Sequence, residues 1–321
     1  MLFLIYALLA AAVIFLSIKA ANYVDLLDKK THLSGAFIGG VLLAAVTSLP
    51  ELFTTISATL IVDNPSLGMG NILGSNLFNL AVIAVLILIA SQGFSSSSVS
   101  NSHLYTTICT LGIYLTIILS LSLPIDIEIL TISLVSIVIT LFYVAGLKGM
   151  AEAPSEGSNE KDDSSLTVKQ VVIRFILCSL ALIITSIVVT YVADQIAITY
   201  NLGAGLVGAI FLGVATSLPE LTSCIALVKV KNFNMAIGNI VGSNLFNFLI
   251  LAFADLLYVP SSVYIFTDKG TLSLLIFGFV ASLLMGFILF LKTTKNKFKQ
   301  MTPVYVVCSF GIVLCYIAFL L

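Results

Sequence analysis

Thr47-Ser48-Leu49-Pro50-Glu51 and Thr216-Ser217-Leu218-Pro219-Glu220 are the same pentapeptide, set inside two apolar runs, Gly35 to Val62 and Gly203 to Val228. Each copy puts a carboxylate, two hydroxyls and a helix-breaking proline where the flanking residues suit lipid. A charge near the bilayer centre costs about 2.5–3.5 kcal/mol or more, so an acid there marks a functional site by default. A carboxylate that merely ties helices together would be the bland account. Two copies 169 residues apart weigh against it.

The surrounding composition agrees. Of 321 residues, 60% are hydrophobic and 9% charged, against about 25% charged in a soluble domain. The chain reads as an all-α integral membrane protein. A net charge of −1 says nothing about nucleic acid or acidic partners, and no nucleic-acid partner is expected. Cys109, Cys178, Cys224, Cys308 and Cys315 lie scattered in apolar runs and read as small packing residues, without metal-finger spacing. Met1 to Ser17 has no basic leader, so it is expected to be a first span and not a cleaved signal.

A span needs about 20 apolar residues. Ten segments qualify: 2–22, 34–61, 67–90, 103–123, 125–147, 170–193, 203–228, 235–258, 270–291 and 303–321. The fourth and fifth are separated by little more than Leu123-Pro124, which predicts a tight antiparallel hairpin. Ser95–Ser98 reads as a loop. Residues 148–168 carry Glu152, Glu156, Glu160, Lys161, Asp162 and Asp163 among Ser, Gly and Pro, the composition of a solvated linker. The expected domains are 1–147, this linker, and 169–321. With the N-terminus outside, 13 of the 14 Lys and Arg residues fall on the inner side and only Lys269 does not. Cytoplasmic loops carry that excess, so both termini are expected outside a cell membrane, with the linker cytoplasmic.

The two halves repeat. Gly68–Leu80 (GMGNILGSNLFNL) and Ala236–Phe248 (AIGNIVGSNLFNF) share nine of 13 residues. Five spans per half is an odd number, so the second half enters the membrane from the opposite side. That predicts two inverted-topology five-helix repeats, the arrangement of many secondary transporters, with a midplane site where broken helices meet.

On a helix Thr47, Ser48 and Glu51 project to one side, and Asn71, Ser75 and Asn79 form a stripe every four residues. Pro50 frees carbonyls about four residues back, and these survive in lipid only when satisfied or lining a cavity. Gly68, Gly70 and Gly74 allow close backbone approach. The second half supplies Thr216, Ser217, Pro219, Glu220, Asn239, Ser243 and Asn247, with Gly238 and Gly242. Facing one another, the halves would make a cage of two carboxylates, hydroxyls, amides and carbonyls, with no thiolate or imidazole. Such all-oxygen ligation suits hard cations such as Na⁺ and Ca²⁺. One Ca²⁺ or two Na⁺ would neutralise the pair of carboxylates. An empty site would leave like charges buried together, so an empty carrier would resist moving or take up a proton. For Asn71 and Asn239 an amide that pins helices is an equally good reading. Phe78 and Phe246 read as packing residues. Asp25 and Asp194 read as interfacial, and His32 and His103 as lone loop residues.

These motifs, TSLPE at 47–51 and 216–220 with GNILGSNLFN at 70–79 and GNIVGSNLFN at 238–247, resemble those of the cation/calcium exchanger superfamily, most of all its sodium/calcium exchanger branch. The resemblance covers the whole topology. It implies Glu51 and Glu220 as central Ca²⁺ ligands, with backbone carbonyls of Thr47 and Thr216 beside them. It implies Ser48, Ser75, Ser217 and Ser243 as Na⁺ ligands, with carbonyls from Ala44 and Gly213. Asn79 and Asn247 would flank the central site. It also implies that spans one and six, long and without internal breakers, slide across the other eight. Val46 and Ala215 stand where the family usually has Gly before TSLPE. Asn occupies both 79 and 247, where many relatives carry one Asp. The proton/calcium branch has Glu where Gly74 and Gly242 stand.

The expected function is Na⁺/Ca²⁺ antiport by alternating access, with Ca²⁺/H⁺ or other cation exchange on the same fold as the alternative. A channel lined by the same stripes is a second class. An intramembrane enzyme is a third, for which neither His is placed as a base. No cofactor, enzymatic activity or protein partner is expected; Ca²⁺, Na⁺ and membrane lipid are.

Overall fold

The computed structural model describes residues 1–31, 48–122, 128–129, 132–151, 166–266, 268–294 and 302–321. The described chain is helical except for one short strand pair. In order it comprises α1 (Leu2–Thr31), α2 (Leu49–Ile56), a π-helical turn (Ser57–Ile61), α3 (Pro65–Ile89), α4 (Ser91–Ser96) and α5 (Asn101–Ser122). Strands β1 (Glu128–Ile129) and β2 (Ile132–Ser133) precede α6 (Leu134–Ala151) and α7 (Val168–Tyr200). Then come α8 (Ala204–Val207), a π-helical stretch (Gly208–Gly213), α9 (Val214–Thr216), α10 (Leu218–Lys229), α11 (Phe233–Leu257), α12 (Lys269–Thr293) and α13 (Thr302–Leu320).

This is a multi-pass membrane protein. Among the described residues seven helices are long and apolar enough to cross a bilayer: α1, α3, α5, α7, α11, α12 and α13. The run from Ala204 to Lys229 makes an eighth if its two parts, bent by 47°, are one span. Leu49–Ile61 and Leu134–Gly149 are shorter apolar helices. They correspond to the expected spans 34–61 and 125–147, whose remaining residues 34–47, 125–127, 130 and 131 lie outside the described ones.

Three expectations change. Within the all-α architecture, one pair of two-residue strands, β1 and β2, interrupts the expected fifth span, paired antiparallel with Glu128 opposite Ser133. The expected span over 125–147 therefore starts as helix only at Leu134. Ser95–Ser98 is not all loop, because Ser91–Ser96 is the helix α4. The Lys292 ammonium donates to the Ser95 and Ser97 carbonyls at 2.9 and 2.7 Å, where the last carbonyls of a helix lack partners. The linker expected over 148–168 is helical as far as Ala151, and α7 starts at Val168. Thr167 and Gln170 make a reciprocal capping box at that start. Residues 152–165 lie outside the described ones.

The duplication extends to the turns. Asp63 and Lys231, 168 apart, both take a left-handed backbone, φ 56° and 62°. The next residue in each copy is an Asn that caps the following helix: Asn64 accepts from the Leu67 N–H and Asn232 from the Met235 N–H. The Asn64 amide also donates to Asp194 on α7 at 3.0 Å, so Asp194 holds an interhelical contact. The Asp25 side chain and His32 lie outside the described residues.

The helices differ in enclosure. In their spanning windows α3 and α11 have 72% of residues buried, against 17% for α1 and 22% for α7. α3 and α11 are thus the centre of the bundle. α1 and α7 pack on each other at its side, sharing a cluster that includes Val13, Leu182, Val189 and Ala193. Phe78 and Phe246 pack against Tyr316 and Tyr143, with ring centroids 5.8 and 6.1 Å apart.

One buried acid lies away from the motifs. Asp255, 2% exposed at the end of α11, accepts from the Ser133 and Val263 N–H groups and from the Ser136 hydroxyl. It joins α11 to the segments that carry Ser133 and Ser136 and to the one that carries Val263. Asp255→Ala strands those donors, each costing about 1–3 kcal/mol when buried and unmet. We expect a melting temperature in detergent lower by several degrees, readable by a thermal-shift assay.

Candidate ion site

Proline has no N–H to donate, and it restricts the residue before it. Both pentapeptides therefore break their helices at the same place. Ser48 sits at φ −91°, ψ 11° and Ser217 at φ −88°, ψ 5°, each immediately before a helix with Pro in its first turn. That is the sparsely populated bridge region, where turn and active-site residues recur. Glu51 and Glu220 follow in the first turns of α2 and α10, and both are 0% exposed.

The two copies meet. The Ser217 hydroxyl donates to Glu51 Oε1 at 3.1 Å, across 166 residues of sequence. The Ser75 hydroxyl donates to the Gly213 carbonyl at 3.2 Å and lies 3.5 Å from Thr216 Oγ1. The Thr216 hydroxyl bonds back to the Leu212 carbonyl at 3.0 Å. Glycine makes this approach possible. A Cβ on Gly70 would lie 2.3 Å from the Gly205 carbonyl oxygen, and one on Gly74 would lie 2.4 Å from the Ala209 Cα.

Several oxygens here have no hydrogen-bond partner among the described residues: Ser48 Oγ, Glu51 Oε2, Asn79 Oδ1, Ser243 Oγ and Asn247 Oδ1. All five residues are 0–1% exposed. A buried polar atom without a partner costs about 1–3 kcal/mol, so five such oxygens from the repeated motifs call for a ligand that accepts lone pairs. A cation is one. Among the described residues no cluster of three or more His, Cys, Asp or Glu side chains could hold a metal. The donors here are instead carboxylate, hydroxyl, amide and carbonyl oxygens.

Of the site residues expected from sequence, Glu51, Thr216, Ser217, Ser75 and Gly213 are joined by direct contacts, with Glu220 three residues from Ser217. Ser48, Ser243, Asn79 and Asn247 are buried. Thr47 and Ala44 lie outside the described residues. The Asn71 amide NH₂ donates to Thr54 and Thr55, both at 2.8 Å, and to the Glu51 carbonyl at 3.3 Å, as a pin would, while its Oδ1 accepts from the Thr216 hydroxyl at 3.4 Å. Asn239 makes a long contact to Cys224 Sγ at 3.7 Å. His103 is no loop residue. It lies in α5, 8% exposed, with Nε2 3.0 Å from Asn234 Oδ1.

Sequence reasoning missed Thr54, Thr55, Asn76 and Asn244. The two asparagines sit one position off the polar stripe, on a different helical face. Their signal was the identity of the two GSNLFN copies, which periodicity does not weigh.

Two buried carboxylates among hydroxyl, amide and carbonyl oxygens, inside a membrane-spanning helical bundle, are the arrangement an internal cation site would need, and they place the chain among polytopic membrane proteins. A family model described as sodium/calcium exchanger protein matches residues 1–147 and 170–321, and the chain belongs to that family. It is 26% identical over 231 residues to the inner membrane protein YrbG of Escherichia coli (strain K12), covering 70% of each chain. Two solved structures share the fold. The H⁺/Ca²⁺ exchanger CAX superposes with a TM-score of 0.68 at 14% identity, over 99% of this chain and 89% of that one. The sodium-calcium exchanger NCX_Mj does so with a TM-score of 0.53 at 19% identity, over 96% and 97%.

Proposed function

We propose that this protein is a secondary active antiporter that exchanges Na⁺ for Ca²⁺ across a cell membrane by alternating access. Membership of the exchanger family supports cation exchange involving Ca²⁺. The observation that carries the finer reading is the Ser217–Glu51 contact between the two pentapeptides, with both glutamates wholly buried.

In this reading ten spans form two inverted five-span repeats, 1–147 and 169–321, with both termini outside and the linker cytoplasmic. Glu51 and Glu220 hold Ca²⁺ with carbonyls of Thr47 and Thr216. Ser48, Ser75, Ser217 and Ser243 hold Na⁺ with carbonyls of Ala44 and Gly213, and Asn79 and Asn247 flank the centre. The ions are cargo, and no resident cofactor is needed. Two carboxylates are neutralised by one Ca²⁺ or by two Na⁺, and crossing is favoured when buried charge is neutralised. The laterally placed α1–α7 pair slides past the enclosed centre and opens the site to either side.

Gly74 supports Na⁺ over H⁺ as the counter-ion. The proton/calcium branch has Glu at that place, whereas here the helix face is packed against Ala209 with no room for a side chain. The second reading, Ca²⁺/H⁺ exchange, draws on the fold shared with CAX.

Purified protein in liposomes loaded with Na⁺, K⁺ or acidic buffer decides. We expect radiolabelled Ca²⁺ to accumulate only against Na⁺. Accumulation driven by pH alone would replace the proposal with the second reading, and Ca²⁺ flux without any counter-ion would make the protein a channel. Deleting residues 152–165, a linker by composition, is expected to leave the initial rate within about twofold, since no sequence motif of the site lies there.

A further inference from the structure

Where α3 and α11 cross, four asparagines form a closed network. The Asn76 amide donates to the Asn244 backbone carbonyl at 3.3 Å, and the Asn244 amide donates to the Asn76 backbone carbonyl at 3.0 Å. Asn247 donates to Asn76 Oδ1 at 2.9 Å, and Asn79 donates to Asn244 Oδ1 at 3.0 Å. All four are at most 3% exposed.

The orientation of every amide follows from one fact: a backbone carbonyl only accepts. Asn76 and Asn244 must therefore turn their NH₂ groups to each other's backbone. Their side-chain oxygens are then left as acceptors, and the groups facing them must be donors. That obliges Asn247 and Asn79 to turn their NH₂ groups toward Asn76 and Asn244. Reversing either one would set oxygen against oxygen. What remains of Asn79 and Asn247 is Oδ1, and both of these oxygens are buried without a partner among the described residues. A carboxamide presents a cation with an attractive oxygen or a repulsive NH₂, and only the first makes it a ligand.

We propose that Asn76 and Asn244 are positioning residues: their network holds the Asn247 and Asn79 amides with the oxygens free for the cation. Two neutral ligands are thereby set beside two carboxylates without adding charge. The inference rests on the cation-exchange reading above and names how two of its ligands are oriented.

The test is a double-mutant cycle read as half-saturating Ca²⁺ and maximal rate in liposomes, with the melting temperature of each variant in detergent. N76L removes the acceptor for Asn247. We expect half-saturating Ca²⁺ to rise about tenfold, the scale of one lost polar interaction, with maximal rate changed less than about threefold. Asp has two equivalent oxygens and no NH₂ to misdirect. In an N247D background N76L should therefore cost less than about threefold, or should improve binding by removing an opposed oxygen. N244L with and without N79D is the mirror cycle, and serves if N76L does not fold. Unchanged half-saturation in N76L and N244L would overturn the inference. So would an equal loss in the presence and absence of the Asp, which marks a purely structural role. Wild-type protein that moves neither labelled Ca²⁺ nor labelled Na⁺ overturns the exchange reading and this inference together. Wild-type transport with a silent N76L and a silent N244L overturns the inference alone.

Discussion

Glu51→Gln, and separately Glu220→Gln, is expected to abolish Na⁺-driven Ca²⁺ uptake while leaving the protein folded. Glutamine keeps the volume and one carbonyl oxygen, so the Ser217 hydroxyl still finds an acceptor at position 51. What it removes is a charge. With one carboxylate left, a bound Ca²⁺ is a net positive charge in a site where both acid residues are fully buried. Leaving a buried charge uncompensated costs about 3–5 kcal/mol, and each 1.4 kcal/mol is about tenfold in affinity. Uptake should thus fall by more than about 100-fold at a Ca²⁺ concentration well below wild-type half-saturation, where rate follows affinity. The check is the initial rate in Na⁺-loaded liposomes, with the melting temperature as a control for folding. Wild-type rates in both variants would remove the glutamate pair from the mechanism.

Gly70→Val should loosen the packing of α3 on α8. The Cβ alone would fall 2.3 Å from the Gly205 carbonyl oxygen and 2.8 Å from its Cα, both backbone atoms that no rotamer change can move. α3 would have to back away from α8, taking Asn71 and Ser75 with it. Overpacking of this kind costs about 1–3 kcal/mol and sometimes more. We expect a lower yield of monodisperse protein and a clear fall in melting temperature. Gly203→Ala is the matched control, since its Cβ would meet nothing within 4 Å. A Gly70→Val protein that melts with wild type would mean that α3 and α8 are not held in contact.

The two cases differ in how far they were legible beforehand. The glutamates announce themselves, because carboxylates are rare in lipid and these are duplicated. The glycines were visible as a spacing, but their partners Gly205 and Ala209 were not. Nor was Asp255 legible as a buried junction, because its partners Ser133, Ser136 and Val263 lie on other segments. β1 and β2 were hidden because the apolar composition of 125–147 suits a span as well as a strand pair. Asn71 illustrates the limit from the other side. Its place on the polar stripe suited a pin and a ligand equally, and only the structure shows its NH₂ on Thr54, Thr55 and the Glu51 carbonyl and its oxygen toward Thr216.

Composition and repetition by themselves determined that the chain lives in a membrane, that it is duplicated, and that its polar residues gather in two matched motifs. These follow from transfer free energies and from identity between segments, which are properties of a string of residues. Only the tertiary structure decided which oxygens are spoken for and which are left over. Periodicity tells which side chains share a face of one helix. It does not tell which atom of another helix that face will meet, and a hydrogen-bond network is settled by those meetings.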